Sequence, residues 1–203
     1  MTQVHFILNN EEVQSIIEHS VEDEVSKKKF WPLFSTVLSG NRLAKTSLKG
    51  GNIPYILATT ENNDIYARID KETRDYHGNK MKIFNTPSIS FSIDNPEAIF
   101  LQEENYFTSN IMRVLINNDL EKEEYIFFVE TLRKATGGFN WGVKFSGPVV
   151  LDLDINVPFN KMEDKIDNQE IKKIGLFINE LDEAEKLEKL EKLKQAYLND
   201  MFV

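Results

Sequence analysis

Residues 168–202 read NQEIKKIGLFINELDEAEKLEKLEKLKQAYLNDMF and form the most informative stretch of the chain. Apolar residues recur in it at spacings of three and four, which is the pattern of an amphipathic helix. The apolar stripe consists of Ile171, Ile174, Ile178, Leu181, Leu190, Leu193 and Tyr197. We predict a single helix over residues 168–203, about 50 Å long at a rise of about 1.5 Å per residue. A helix of that length is a spacer and extends beyond one domain core.

The apolar stripe loses its phase between Leu181 and Leu187, where acidic residues surround Ala184. A single straight heptad seam therefore does not run through the helix. An apolar stripe exposed to water would be a liability, so we expect another surface to cover it. Two arrangements are open. The helix packs on its own domain or forms a plain homomeric coiled coil, or it is a docking helix for a different partner.

Upstream of this helix, from about residue 30, short runs of β type are separated by Gly, Asn and Pro. We predict strands at residues 53–58, 89–93, 99–101, 112–116 and 149–155, an internal helix at 123–135 and an acidic helix at 10–25. The change from domain to C-terminal helix is expected within residues 158–167. The predicted fold class is α+β, with short strands and an internal helix followed by a long C-terminal helix of the coiled-coil type.

The charge of the chain is unevenly distributed. Its 24 Lys and Arg residues against 33 Asp and Glu residues give a formal net charge of −9, which at first sight argues against nucleic acid. Most of the excess acid lies at the two ends, whereas residues 25–60 contain six cations and residues 131–151 contain three, both without an acid. Two basic segments in a nearly neutral domain are compatible with a DNA-facing patch, and an ordinary solvated surface explains each segment equally well.

Several classes of protein are disfavoured by composition. The chain has no cysteine, so disulfide frameworks and Cys-ligated zinc are excluded. It shows neither a secretory leader pattern nor a run of about 18 apolar residues, so we expect a soluble cytoplasmic protein without a membrane segment.

Residues with the spacing of a catalytic or metal site are also missing from the sequence. His5, His19 and His77 lack metal-ligand spacing, and the glycine pairs lack a P-loop sequel. Asp152 and Asp154 suggest a nuclease only weakly, because alternation on a half-exposed strand explains them better. We therefore predict no catalytic residue, metal or cofactor on this chain.

Four segments resemble, in order, the parts of specificity subunits of type I restriction-modification enzymes. Residues 39–70, SGNRLAKTSLKGGNIPYILATTENNDIYARID, resemble the opening of a target recognition domain. Residues 88–115, SISFSIDNPEAIFLQEENYFTSNIMRVL, resemble the middle of that domain. Residues 139–159, FNWGVKFSGPVVLDLDINVPF, resemble its end. The conserved helix that closes such subunits resembles KIGLFINELDE at 173–183 with KLEKLKQAYLNDMF at 189–202. The resemblance covers about residues 30–202.

This resemblance implies a non-enzymatic DNA specificity subunit. Residues 28–160 would be a target recognition domain that reads one half-site of double-stranded DNA. Residues 161–203 would be a helix for spacing, dimerisation and methyltransferase docking, with the apolar stripe as its interface with another chain. Because family members usually carry two domains and two helices, a homodimer or pairing with another specificity chain is expected. S-adenosylmethionine would be bound by the partner methyltransferase subunit, and a restriction subunit would join the complex.

The DNA contacts are expected in polar and cationic loops. Lys and Arg would neutralise phosphates, whereas amide and hydroxyl groups reach base edges. The predicted DNA-binding residues are Asn41, Arg42, Lys45, Lys49, Thr60, Asn62, Asn63, Asn140, Trp141, Lys144 and Ser146. Structural roles remain open for the Asn62-Asn63 turn, for Trp141 as a core residue and for Ser146 at a loop end.

Residues 1–28, MTQVHFILNNEEVQSIIEHSVEDEVSKK, resemble the beginning of mutator-type insertion-sequence transposases. The similarity is expected to stop near Lys28, and no transposase catalytic region follows. Residues 1–27 are therefore interpreted as an acidic leader, either foreign in origin or a capping helix. The alternative for the whole chain is a non-DNA-binding remnant or an interaction protein that acts through its C-terminal helix.

Overall fold

The computed structural model describes residues 25–29, 33–34, 37–43, 48, 50–59, 62–137 and 145–201. Side chains are described for these residues except 25–27, 29 and 193–201. The predicted acidic helix at residues 10–25 therefore lies outside the described residues, apart from Val25, which begins a strand.

The described part of the chain contains eleven strands and three α-helices. The strands are β1 (Val25–Lys29), β2 (Val37–Ser39), β3 (Gly50–Ile56), β4 (Ile65–Ile69), β5 (Ile83–Phe84), β6 (Ser88–Ser92), β7 (Ile99–Gln102), β8 (Tyr106–Thr108), β9 (Met112–Leu115), β10 (Asp154–Asn160) and β11 (Lys165–Ile166). The helices are α1 (Lys122–Thr136), α2 (Gly147–Leu151) and α3 (Asn168–Met201). This mixture of short strands, an internal helix and a long C-terminal helix confirms the predicted α+β class.

The strands form three sheets. The central sheet has the order β2-β9-β6-β7 and is antiparallel throughout. The second sheet has the order β4-β3-β8-β5, in which β3 and β8 run parallel and the other pairs antiparallel. The third sheet, β1-β10-β11, is antiparallel and joins the two ends of the described domain.

The central sheet is covered on both faces, and β6 shows how. Ile89 and Phe91 point into the main core with α1, and the serines at alternating positions 88, 90 and 92 are buried on the other face. The hydroxyl of Ser88 shares a hydrogen bond with the Tyr106 hydroxyl at 3.0 Å, and Ser90 Oγ accepts one from Gln102 Nε2 at 2.9 Å. Small hydroxyl side chains thus let the second sheet approach closely while their polar atoms stay paired.

Helix α1 lies between the central sheet and α3. Its buried residues, including Tyr125, Phe128 and Leu132, belong to the main core together with residues of β6, β9 and β10. The helix begins with a capping box in which Glu124 Oε2 accepts a hydrogen bond from the Glu121 backbone N–H at 2.8 Å. This cap sets where α1 begins, directly beneath the crossing of α3.

The first three turns of α3 pack on α1. Ile171, Ile174 and Ile178 are buried in the main core, and at Gly175 an added Cβ would lie 1.9 Å from the Glu123 carbonyl oxygen. These three isoleucines were predicted to face another chain. That prediction is corrected, because their own domain covers them, which is the other arrangement left open by the sequence.

The apolar stripe of α3 changes character after this crossing. Leu181 is half-buried and Leu190 is 67% exposed, and the neighbouring Leu187 is 59% exposed. The side chains of Leu193 and Tyr197 lie outside the described part. The exposed end of the stripe is therefore the portion that remains for a partner.

The strands predicted at residues 89–93, 99–101 and 112–116 coincide with β6, β7 and β9 to within one residue, and the one at 53–58 overlaps β3. The strand predicted at 149–155 is wrong over its first half, which is helix α2. Ser146 occupies the N-cap of α2 and Pro148 lies in its first turn, a start signal that outweighs the valines that follow. Asp152 caps α2 and Asp154 begins β10, so the two aspartates do not alternate on one strand.

Strand β1 was not predicted, and it crosses the predicted boundary between residues 27 and 28. It pairs along its length with β10, from Val25 opposite Pro158 to Lys29 opposite Asp154. The run VSKKK has no alternation that would indicate a strand, so the pairing depends on a partner more than 120 positions away.

We predict that Gly175→Ala lowers the stability of the domain by about 1 to 3 kcal/mol, the usual cost of overpacking, although alanine is the better helix former. The reason is that the new methyl group overlaps the Glu123 carbonyl oxygen and forces the helices apart. Urea unfolding measures the change. Gly50→Ala is the matched control, since a Cβ there meets no atom within 4 Å. Equal stability of the two variants would contradict the close crossing.

Candidate nucleic-acid interface

A short hairpin lies between β4 and β5 of the second sheet. Arg74 and Lys80 form an isolated antiparallel bridge, and Arg74–Lys80 is called the tip hairpin below. Its turn is closed by two backbone hydrogen bonds, from the Gly78 N–H to the Asp75 carbonyl at 3.0 Å and from the Asp75 N–H to the Asn79 carbonyl at 2.9 Å. Gly78 has a φ of +82°, a conformation that glycine adopts without strain.

The carboxylate of Asp75 organises the tip hairpin. Its Oδ1 accepts hydrogen bonds from the backbone N–H groups of His77 at 2.9 Å and Asn79 at 2.8 Å. Its Oδ2 accepts one from Asn41 Nδ2 at 3.1 Å. Desolvation by burial acts to raise the pKa of Asp75, but the hydrogen bonds from Asn79, His77 and Asn41 outweigh it, so the pKa lies below its ordinary value. This carboxylate is therefore charged at neutral pH and fully engaged within the protein.

Asn41, predicted to contact DNA, holds the tip hairpin to the domain. Its Oδ1 accepts a hydrogen bond from the Lys82 N–H at 2.9 Å while its Nδ2 donates to Asp75, so both ends of the amide bind protein groups. Its backbone N–H donates to the Thr108 carbonyl at 2.9 Å. At the preceding Gly40 an added Cβ would lie 2.0 Å from that same carbonyl oxygen, which explains why glycine stands before Asn41.

Arg42 lies beside the exposed face of the tip hairpin. Its guanidinium is 5.2 Å from the ring centroid of Tyr76, and its carbonyl accepts a hydrogen bond from the Tyr76 N–H at 2.7 Å. The Tyr76 ring, 59% exposed, also meets His77 edge to face at 5.4 Å. A cation and two aromatic rings are thus assembled on one outward surface.

Asn62 and Asn63 occupy a turn before β4 in which three successive residues have positive φ: 49° at Asn62, 54° at Asn63 and 60° at Asp64. Asn63 Nδ2 donates to the Leu101 carbonyl at 3.0 Å and to Gln102 Oε1 at 3.2 Å, so its amide is committed to β7. Asn62 is exposed. The turn role left open for this pair is confirmed, since Asn and Asp tolerate the left-handed region better than other non-glycine residues.

The remaining predicted DNA-binding residues are divided as follows. Ser146 is half-buried at the start of α2, where its carbonyl accepts the Val150 N–H at 3.0 Å. Lys45, Lys49, Thr60, Asn140, Trp141 and Lys144 lie outside the described residues. Of the predicted set, the structure brings Asn41 and Arg42 together at the tip hairpin.

A pocket of about 200 Å³ lies between Arg42 and the second sheet. It is lined by Arg42, Leu43, Leu48, Tyr55, Leu57, Tyr66, Ser109, Asn110 and Ile111. Its walls are mainly apolar, and Arg42 and Asn110 supply polar groups. The guanidinium that stacks on Tyr76 therefore stands between the tip hairpin and an apolar recess.

Four residues of this surface were missed by the sequence analysis: Arg74, Tyr76, Lys80 and Lys82. Charge counting overlooked them because Asp70, Glu72 and Asp75 lie in the same segment. The sequence pattern that could have identified this surface is the turn from Asp75 to Gly78, which has a cation on each side. Arg68, by contrast, is bound to Glu104 through both guanidinium nitrogens, and this pairing lowers the Glu104 pKa.

Within the described residues, no group of three or more acidic or histidine side chains is placed to hold a metal ion. None of the helices in that part of the chain combines the length and apolar character needed to cross a membrane.

The whole fold is similar to known structures of type I restriction-modification proteins. The S subunit from M. genitalium matches with a TM-score of 0.58 and 15% identity, covering 96% of this chain and 48% of that one. The HsdS subunit from Thermoanaerobacter tengcongensis matches with a TM-score of 0.56 and 10% identity over 92% and 46%. A chain from a structure on complex assembly and conformational transition of the type I system matches with a TM-score of 0.58 and 10% identity over 92% and 50%. The chain thus has the fold of these proteins and spans about half their length.

A second similarity is local. The chain is 52% identical over 42 residues to transposases for insertion sequence element IS256 in transposon Tn4001, from Staphylococcus aureus and Enterococcus faecalis. The match covers 21% of this chain and 11% of those transposases. The match of 42 residues is longer than residues 1–28, and the end of the similarity near Lys28 stays a prediction. No protein-family profile matches the chain.

We predict that Asp75→Asn loosens the tip hairpin and lowers the melting temperature at pH 7. The pKa of Asp75 is lowered in the folded protein. The Asp75 carboxylate therefore stabilises the fold at pH values above the ordinary aspartate pKa, and this stabilisation is lost as the pH falls through the folded-state pKa. The gap in melting temperature between wild type and variant should therefore narrow from pH 7 to pH 3. Exposed Asp119 supplies the control, Asp119→Asn. A gap that stays constant with pH would contradict this role for Asp75.

Proposed function

We propose that this chain is the DNA specificity subunit of a type I restriction-modification complex and reads one half-site of a bipartite target. The observation that carries the proposal is the fold match, which extends over 92–96% of the chain and includes α3 as well as the domain. The collinear sequence resemblance over residues 30–202 supports it independently.

The tip hairpin and its surroundings supply the chemistry for DNA contact. Arg42, Lys80 of the hairpin and the nearby Lys82 are suited to phosphates, and exposed Asn62 offers an amide to a base edge. Residues outside the described part are also retained as proposed contacts: Lys45, Lys49, Thr60, Asn140, Trp141 and Lys144. Asn41, Asn63 and Ser146 are retained as proposed members of the DNA-binding surface, in which Asn41 and Asn63 position their neighbours.

The distal part of α3 is the proposed assembly surface. Leu187 and Leu190 are exposed, and ion pairs between Glu185 and Lys189 and between Glu188 and Lys192 brace the same turns. Since the chain spans about half the length of the specificity subunits it matches, a homodimer or a pair with another specificity chain would supply the second half-site. The helix would also dock the methyltransferase subunits and set the spacing between half-sites.

The chain itself is proposed to be non-catalytic and to work in the cytoplasm, where its DNA target lies. Adenine methylation would be carried out by the partner methyltransferase, which binds S-adenosylmethionine and extrudes the target base from the duplex. A restriction subunit would join the same complex. This chain would contribute sequence recognition and geometry.

A second candidate is a non-DNA-binding remnant or interaction protein that acts through α3. The transposase-like stretch of 42 residues favours it, because that stretch is similar to a different kind of protein. In this case the helix would still bind a methyltransferase or a second chain, but the domain would not select DNA.

We predict that this chain, copurified with the methyltransferase subunit encoded in the same genome, directs adenine methylation to a bipartite motif. Long-read sequencing of DNA methylated by the purified complex measures the motif. The methyltransferase without this chain is the control and should leave the motif unmethylated. A stable complex that methylates no defined motif would favour the remnant.

We predict that Leu187→Asp combined with Leu190→Asp abolishes pairing or methyltransferase binding and leaves the domain folded, because both side chains lie beyond the core. Light scattering and copurification measure assembly, and circular dichroism measures folding. Lys186→Asp, also exposed on α3, is the matched control and should assemble normally. If the double variant still assembles, the distal stripe is not the interface.

A further inference from the structure

We propose that Tyr76 is a specificity-determining residue that contacts bases when the tip hairpin enters the major groove of duplex DNA. The inference rests on the proposed function and goes beyond it, because it assigns the reading of sequence to a residue outside the segments in which DNA contacts were expected.

The first support is the way in which Tyr76 is held outward. Its ring is 59% exposed, yet its backbone N–H is bound to the Arg42 carbonyl at 2.7 Å and its ring lies against the Arg42 guanidinium and the His77 ring. An aromatic ring fixed in this way loses little conformational freedom on binding. Exposed and preorganised tyrosines of this kind are favoured where proteins recognise a partner.

The second support is the rigidity of the tip hairpin. Asp75 accepts hydrogen bonds from within the turn and from Asn41, which joins the hairpin to the domain. Gly78 supplies the left-handed residue that the turn requires. The hairpin therefore presents Tyr76 in one orientation, which is what discrimination between base pairs needs.

The third support is charge. Arg74, Lys80 and Lys82 are exposed, and within the described residues none of them forms an ion pair. The carboxylate of Asp75 is occupied by its hydrogen bonds, which leaves Asp70 and Glu72 as the exposed acids of the segment. Cations on both sides of an aromatic tip match phosphates on both sides of a groove.

The fourth support is size and chemistry. The major groove, about 12 Å wide, admits a two-stranded β-ribbon, and the tip hairpin consists of two short arms joined by a single antiparallel bridge. A tyrosine offers a ring for the thymine methyl group and a hydroxyl that both donates and accepts hydrogen bonds. An acidic protein surface is the competing partner for such a hairpin, and the experiment below tells the two apart.

The test uses the complex of this chain with its methyltransferase subunit and two duplexes, one carrying the methylation motif of the wild type and one with the motif scrambled. We expect Tyr76→Ala to reduce the ratio of the two affinities about ten-fold, the value of one base contact. The slope of log affinity against log salt should stay unchanged, whereas Lys80→Ala should weaken both duplexes alike and reduce that slope by about one.

Met162→Ala is the matched control, because Met162 is fully exposed but lies between β10 and β11, outside the tip hairpin and the pocket beside Arg42. It should keep the wild-type ratio. As a measurement that needs no variant, the wild-type complex is crosslinked to motif duplexes containing 5-iodouracil at each thymine, and Tyr76 is expected among the crosslinked residues.

A wild-type ratio for Tyr76→Ala, with crosslinks that avoid the tip hairpin, would overturn the inference and leave the proposed function intact. Loss of methyltransferase binding with an unchanged affinity ratio would assign the hairpin to a protein contact and also overturn it. A wild-type complex that does not distinguish the two duplexes would instead overturn the proposed function.

Discussion

The crossing of α3 over α1 is the contact on which the arrangement of this protein depends. At Gly175 the two backbones nearly touch, and Ile171, Ile174 and Ile178 close the main core around that point. Because a helix is stiff over several turns, the crossing sets the direction in which distal α3 leaves the domain. One apolar face of α3 therefore has two environments, a core before the phase break near Ala184 and, at Leu187 and Leu190 after it, solvent.

The tip hairpin shows a similar division among polar residues. The amide of Asn41 and the carboxylate of Asp75 are satisfied inside the protein, so they position other groups. Arg42 and Tyr76, which these contacts hold in place, face outward. An overall charge of −9 is compatible with a DNA-facing surface, because a carboxylate used within a turn subtracts little from the cations beside it.

Much of the fold was predictable from local pattern. The internal helix expected at residues 123–135 is Lys122–Thr136, and the long helix expected from residue 168 is Asn168–Met201. Both follow from apolar periodicity, which is a property of neighbouring residues. The prediction failed near Pro148, where the proline favours the start of a helix and the following valines favour a strand. It also failed at β1, a strand that forms only by pairing with β10, which is distant in sequence.

The sequence by itself determined the α+β class, the two helices and the presence of Arg42 in a basic segment. Only the tertiary structure decided which residues of the stripe are buried and which asparagines are used internally. The contacts responsible join residues far apart in the chain, such as Asn41 with Asp75 and Asn63 with Gln102. No local pattern encodes them, because burial and hydrogen bonding are settled by what the fold brings near in space.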